Sequence, residues 1–399
     1  MNITSDKLYF DSHASTEIDP IVLKAMHTAD RELFGNPHSD DHSFGWNAGK
    51  SVESARQNLA NLINADNDEI IFTSGATEAN NLALLGYARG YSHANQSDVR
   101  KTLIVSPIEH KCILGASNAL RNEGWIVKSA PVCKDGIVNL HQLEKIIDED
   151  TKLVSIMAVN NEVGAIQPIE EISSLCSAAG AIFHCDAAQA PLAIDIDVLS
   201  TDIDMLSLSS HKMHGPKGIG ALFVRREIIN TLQPLMHGGG QELGLRPGTL
   251  APSLVVGFGI AAELAGSDAR HVQRETVKNK RNLLMKLLQE KHPTCAFNGP
   301  ISARHPGCVN VRYEGIDAGR LIGKLQPILA ISSGSACTTG IPEPSHVLTA
   351  MGLSAEQAES SVRIGISRFT DEADIYRAAE LINHAVSDCY QTDREFVSP

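Results

Sequence analysis

The first place in this chain where the residue types suggest chemistry is a lysine behind a histidine. Ile203 to Leu208 is a largely apolar approach, Ser209-Ser210-His211-Lys212 follows, and Met213-His214-Gly215-Pro216-Lys217-Gly218 makes a turn. The pattern reads as a strand end that delivers Lys212 into a loop. A lysine placed there sheds part of its hydration, which lowers its pKa and makes its amine a nucleophile toward an aldehyde. A lone lysine beside a turn is ordinarily just an exposed one; the residues upstream change that balance.

About one βα unit earlier, Ala181-Ile182-Phe183-His184-Cys185-Asp186 is a short apolar strand ending in a carboxylate, with Gln189 three positions on. A carboxylate there suits a cationic ring nitrogen such as that of pyridoxal phosphate (PLP), and it equally suits a helix N-cap. Earlier again, Glu69 to Thr73 runs into Ser74-Gly75-Ala76-Thr77 and then into a helical pattern. Free N–H groups and the dipole at such a helix start cradle a phosphate, although the same residues also read as an ordinary capped turn. They match neither the dinucleotide fingerprint nor the Walker A loop. Between these lies Ser106-Pro107-Ile108-Glu109-His110-Lys111, where His110 can stack on a planar cofactor and shuttle protons. A single histidine there is more often structural. The weight lies in the conjunction of four such features, in order, each at a strand end.

The elements that must position them follow from periodicity. Apolar segments at 70–72, 102–106, 153–158, 181–185, 203–208 and 220–224 alternate with helical stretches, which predicts a mostly parallel sheet. Ligands in such sheets sit beyond the carboxyl ends of the strands, where all four features fall. Leu8-Tyr9-Phe10 reads as a short strand, Pro20–Leu33 and Trp46–Ile63 as helices, and Ala251 to Glu290 as one helical region leading to a smaller C-terminal part. There Gly307–Val311 is a strand and Ser361–Phe369 is strand-like, carrying Arg363 and Arg368.

The chain has 399 residues, 43% hydrophobic and 20% charged, with a formal net charge of −13. That charge argues against a generic nucleic-acid surface, which needs clustered Lys and Arg. No apolar run is long enough to cross a bilayer, and Met1–Lys7 carries no basic leader followed by an apolar core. The eight cysteines lack CxxC pairing and zinc-like spacing, so a reducing cytoplasm is expected. Cys337 differs from the rest: it lies in the Gly-, Ser- and Pro-rich stretch Ser332–His346, where a thiol is exposed and can become a thiolate. From spacing alone it reads as an inert surface cysteine.

The motifs together resemble the class V aminotransferase branch of fold-type I PLP enzymes and, within it, the cysteine desulfurases of the NifS/IscS kind. The resemblance is carried by Ser74-Gly75-Ala76-Thr77-Glu78, Glu109-His110-Lys111, Val159-Asn160-Asn161-Glu162, Asp186-Ala187-Ala188-Gln189 and Ser209-Ser210-His211-Lys212. His237-Gly238-Gly239-Gly240-Gln241-Glu242 and Ser332-Ser333-Gly334-Ser335-Ala336-Cys337 add to it, and it runs from about Tyr9 to Phe369. It implies an α/β fold with a mostly parallel seven-stranded sheet in a large PLP-binding domain (16–262). A small α+β domain (1–15 with 263–399) would carry the cysteine loop, about 332–346, in the manner of the long-loop group.

For the site, the resemblance implies PLP on Lys212, Asp186 at the ring nitrogen, Gln189 at the phenolate oxygen and His110 stacked on the ring. The phosphate would be held by Ala76, Thr77, Ser209 and His211, and by Thr249 from the other subunit of a homodimer. Arg363, Asn161 and Asn36 would hold the L-cysteine substrate, with Arg363 preferred over Arg368. The Cys337 thiolate would take the substrate sulfur as a persulfide and pass it to an acceptor protein, for iron–sulfur assembly, tRNA thiolation or DNA phosphorothioation. No metal, membrane or direct nucleic-acid partner is expected. Two departures stand out: Ser12-His13 in the first turn, where His13 faces the site, and Leu243 where relatives often carry arginine. Selenocysteine lyase or aminotransferase activity, for which Cys337 is dispensable, is the alternative reading; a mainly structural partner in a sulfur-transfer complex is another.

Overall fold

A computed structural model describes residues 7–95, 101–333 and 343–397. Among the described residues the main sheet has seven strands, in the order β2 (Ile70–Thr73), β8 (Gly220–Val224), β7 (Met205–Ser209), β6 (Ile182–Asp186), β5 (Thr151–Ser155), β3 (Thr102–Val105) and β4 (Ile126–Ser129). Only β8 runs against the others. Helices cover both faces, and β2, β3, β7 and β8 are buried along their whole length. This is why they read as continuous apolar runs. His184 on β6 is buried among them because Ser155 on β5 and Ser207 on β7 satisfy its two ring nitrogens, at 2.9 and 3.0 Å. The edge strand β4 was not anticipated. Lys128 points out of it to Asp148 (2.6 Å), so the segment lacks the apolar signature of its neighbours.

Local chemistry sets the helix starts. Pro20 opens helix 20–32 and the Asp19 carboxylate caps it, accepting from Ile21 N–H at 2.7 Å. Helix 43–63 begins three residues earlier than expected because the His42 side chain caps it. The region expected as one helix from Ala251 to Glu290 is two, 252–266 and 270–291, broken at 267–269.

The second core belongs to the ends of the chain. β1 (Leu8–Tyr9) pairs with β11 (Leu329–Ala330), and β12 (Ser361–Gly365), β10 (Cys308–Arg312) and β9 (Ala296–Phe297) form a three-stranded sheet. Leu8 and Phe10 pack there with Val277, Leu284, Val309 and Val362. Helix 252–266 packs with the main sheet's core instead. Between the two cores the segment 11–16 crosses below the end of β7, with Thr16 N–H donating to the His211 carbonyl at 2.9 Å.

Candidate active site

Because β2, β3, β5, β6 and β7 point one way, their carboxyl ends share one rim. A cavity of about 690 Å³ opens there. Asp186 ends β6 on its floor. Its Oδ2 accepts from Asn80 Nδ2 at 2.7 Å and its Oδ1 from Ala188 N–H at 3.0 Å. Behind it lies Glu109, fully buried, whose Oε1 accepts from Met157 N–H at 2.7 Å. Burial, and then the Asp186 charge, push the Glu109 carboxyl well above the usual range.

Lys212 leaves a one-turn helix after β7. Its Nζ donates to the carbonyls of His13 (2.5 Å) and Ala14 (2.9 Å). Burial, followed by the Arg363 charge, brings its amine down to about 8. The amine is therefore much nearer to neutral than an exposed lysine's. His211 beside it faces Ser15 Oγ at 3.2 Å, and burial lowers its pKa to about 4. Gln189 donates from Nε2 to the His13 carbonyl at 2.9 Å. His13 itself lines the cavity and packs edge-on against His305, 4.5 Å between centroids. Burial, then Arg363, lower its pKa to about 3.

The far end is the turn after β2. Ser74 N–H is taken by Glu78 Oε2 at 2.6 Å. Ala76 and Thr77 form the first turn of the next helix, where N–H groups have no acceptor within the helix. This turn can lie against the sheet because Gly220 is bare: a Cβ there would stand 2.6 Å from the Gly75 backbone and 2.7 Å from the Leu208 carbonyl. On the opposite wall, Arg363 in the middle of β12 holds Asp11 Oδ1 at 2.8 Å and the Asn161 carbonyl at 3.1 Å.

The cavity thus gathers Ala76, Thr77, His110, Asn161, Asp186, Gln189, Ser209, His211, Lys212 and Arg363. Arg368 does not line it and pairs with Asp19 instead. Asn36 is exposed on its loop, accepting from His38 N–H, and does not reach the cavity. Thr249 is exposed and outside it as well. Cys337 lies outside the described residues, but Ser332 and His346 on either side of it both line the cavity. Asn80, Asp11, Glu162 and His346 also line it without having been singled out; Glu162 accepts from Ser345 Oγ at 2.5 Å.

The donor set fits pyridoxal phosphate. It offers an amine near neutrality, a carboxylate held from behind, and N–H groups at a helix start, all in one cavity. That combination on this sheet defines a PLP enzyme of fold type I. The class-V aminotransferase profile matches residues 8–377. A mitochondrial cysteine desulfurase of Candida albicans is 48% identical over 385 residues, covering 95% of this chain and 76% of that one. A NifS-like protein structure superposes with a TM-score of 0.88 at 33% identity, over 96% of this chain and 99% of that one. The structure of SspA in complex with cysteine does so with 0.77 at 37%, over 91% and 99%.

The chain belongs to the class-V aminotransferase family, among its cysteine desulfurases. It is a PLP-dependent enzyme of that activity.

Proposed function

We propose that the enzyme moves the sulfur of L-cysteine onto Cys337 as a persulfide, releases L-alanine, and passes the sulfur to a separate acceptor protein. The observation that carries this reading is that Ser332 and His346, which bracket Cys337, both stand at the cavity. Cys337 is five residues from Ser332, a tether of roughly 17 Å when extended. The other thiols point the same way. No described cysteine lines the cavity. Burial raises Cys112, Cys176 and Cys308 to about 11, 12 and 11, so they remain protonated.

In this reading Lys212 carries the cofactor and moves the substrate's α-proton. Asp186 keeps the ring nitrogen protonated, Gln189 bonds the phenolate oxygen, and His110 stacks on the ring and assists proton transfer. Ala76, Thr77, Ser209 and His211 hold the phosphate with Thr249 of the partner subunit. Bound PLP would supply a carbonyl-derived carbon able to bond the substrate amino group and an electron-withdrawing ring. Arg363, braced by Asp11 and the Asn161 carbonyl, receives the carboxylate as a fork. Asn36 lies outside this chain's cavity, which leaves its assignment to substrate without support. The Cys337 thiolate attacks the substrate sulfur; an S–S bond forms and the Cβ–S bond breaks. Its electrons stay on the carbon fragment, which takes up protons and leaves as alanine.

A homodimer is part of the proposal. Phe34, Phe44 and Trp46 are exposed near one another in sequence, with the Phe34 and Phe44 rings 5.2 Å apart, and Met236 and Leu243 are exposed on the Thr249 segment. Such apolar surface marks a contact face. We place the cofactor domain at 16–262 and the thiol-bearing domain at 1–15 with 263–399; the apolar clusters divide nearby, between Ala265 and Val277. Cys112, Cys133, Cys176, Cys185, Cys295 and Cys308 are free thiols, which suits a reducing compartment such as the cytoplasm.

The test is sulfide and alanine release from L-cysteine with a reductant, by wild type and Cys337→Ser, alongside the PLP absorbance band. Loss of sulfide with the band intact is expected. Equal release by both would overturn the persulfide step.

A further inference from the structure

His110 sits at the N-cap of helix 111–122, where its Nδ1 accepts from Cys112 N–H at 3.2 Å. The same nitrogen lies 3.0 Å from Cys112 Sγ. Asn80, which is buried, also reaches that sulfur. Its Nδ2 stands 2.7 Å from Asp186 Oδ2 and 3.3 Å from Cys112 Sγ. An amide nitrogen only donates, so one hydrogen goes to the carboxylate and the second to the sulfur. Cys112 Sγ then accepts from Asn80 and also meets the Thr77 side chain; with Thr77 donating to the sulfur as Asn80 does, the thiol's own hydrogen is left for His110 Nδ1, 3.0 Å away. Burial pushes this thiol up to about 11, so the hydrogen is present at neutral pH. Nδ1 therefore faces two donors, a backbone N–H and a thiol, and has no room for a proton of its own.

We propose that Cys112, oriented by Asn80, is a positioning residue that fixes His110 as the neutral tautomer with its proton on Nε2. This rests on the reading above, in which His110 assists proton transfer. The ring can then donate only from Nε2, and protonation of the whole ring requires Nδ1 to give up a donor. The groups that face His110 are Asp186 and Glu162, which favour the charged ring, and Lys212 and His346, which oppose it. Burial opposes it most and keeps its pKa below the ordinary value. The Asn80–Cys112 chain adds a directional constraint that these charges do not supply. It also links the carboxylate assigned to the cofactor nitrogen to the histidine assigned to its face.

The test uses PLP-loaded enzyme with ring-15N histidine, observed by NMR from pH 5.5 to 9, as wild type, Cys112→Ala, Cys112→Ser and His110→Gln. The last variant identifies the His110 signals. Wild type and Cys112→Ser are expected to show a single Nε2–H tautomer. Cys112→Ala, which loses one of the two donors, is expected to show mixed tautomers and a His110 titration about half a pH unit higher. The pH limb of kcat controlled by His110 should move with it. A wild-type spectrum with the proton on Nδ1 would overturn the proposal without any variant. So would a Cys112→Ala spectrum that matches wild type in tautomer and titration. Full desulfurase activity in His110→Gln would instead remove the catalytic role of His110, and the tautomer signals would still decide the role of Cys112.

Discussion

The two walls of the cavity are built differently. On the wall made by the large sheet, each chemical group is tied from behind at close range. Asp186 is held by Asn80 and Ala188, Lys212 by two carbonyls, and His110 by Cys112. On the opposite wall, β12 offers one buried cation, Arg363, braced by Asp11, which bridges to β12 at Gly365. Beside it the chain arrives at Ser332 and returns at His346. The first wall keeps electrostatics fixed where charge changes. In the proposed mechanism the second grips the substrate carboxylate and bears the segment whose thiol takes its sulfur. Geometry is spent where proton positions matter, and reach where atoms must travel.

Breaking the first wall should cost most. Lys212→Ala should abolish the covalent PLP absorbance and lower desulfuration at least about a thousand-fold, read by spectrum and sulfide release. The strain of keeping that amine indoors is also measurable. Folded Lys212 has a pKa of about 8 against an ordinary 10.5, so between these values the unfolded chain binds more protons. Stability of the cofactor-free protein should therefore rise with pH across that window, by about 3 kcal/mol relative to a Lys212→Met control, in urea unfolding. Below pH 8 the penalty is fully present.

The second wall should fail in binding. Arg363→Lys keeps the charge and loses the fork; kcat/KM for L-cysteine should fall about a hundred-fold, mostly through KM. Asp11→Asn leaves the fork in place and removes its charged brace, so KM should rise only about five-fold with kcat unchanged. If Asp11→Asn instead lowered kcat while sparing KM, the division of labour between the walls would be wrong.

Much of the first wall was legible because the sheet is parallel. Apolar strands end in distinctive residues, and the fold brings those ends to one rim, so Lys212, Asp186 and His110 fall together from their places in sequence alone. The partners behind them were not legible. Asn80 reaches Asp186 across 106 positions and Asp11 reaches Arg363 across 352, and neither leaves a local pattern. Cys112 was not singled out, since nothing in its neighbours reveals that its sulfur lies against a histidine ring. The glycine-rich segment His237–Glu242 was legible as a motif. Its kink at Glu242 and Leu243, with φ of 47° and 58°, was not. That kink is held by a buried pairing of Glu242 with Arg56 (2.8 Å) and Phe72 N–H (2.6 Å), residues far back in the chain.

The pairing of Leu8 with Leu329 has a consequence in time. A ribosome adding roughly 5 to 20 residues each second needs on the order of 16 to 60 s to travel between the two. Through that interval Leu8 and Phe10 wait without their core. The carbonyls of His13 and Ala14, a few residues on, belong to a segment whose anchor is not yet made. Lys212 settles against the His13 and Ala14 carbonyls with their own anchor secured only once Leu329 has emerged.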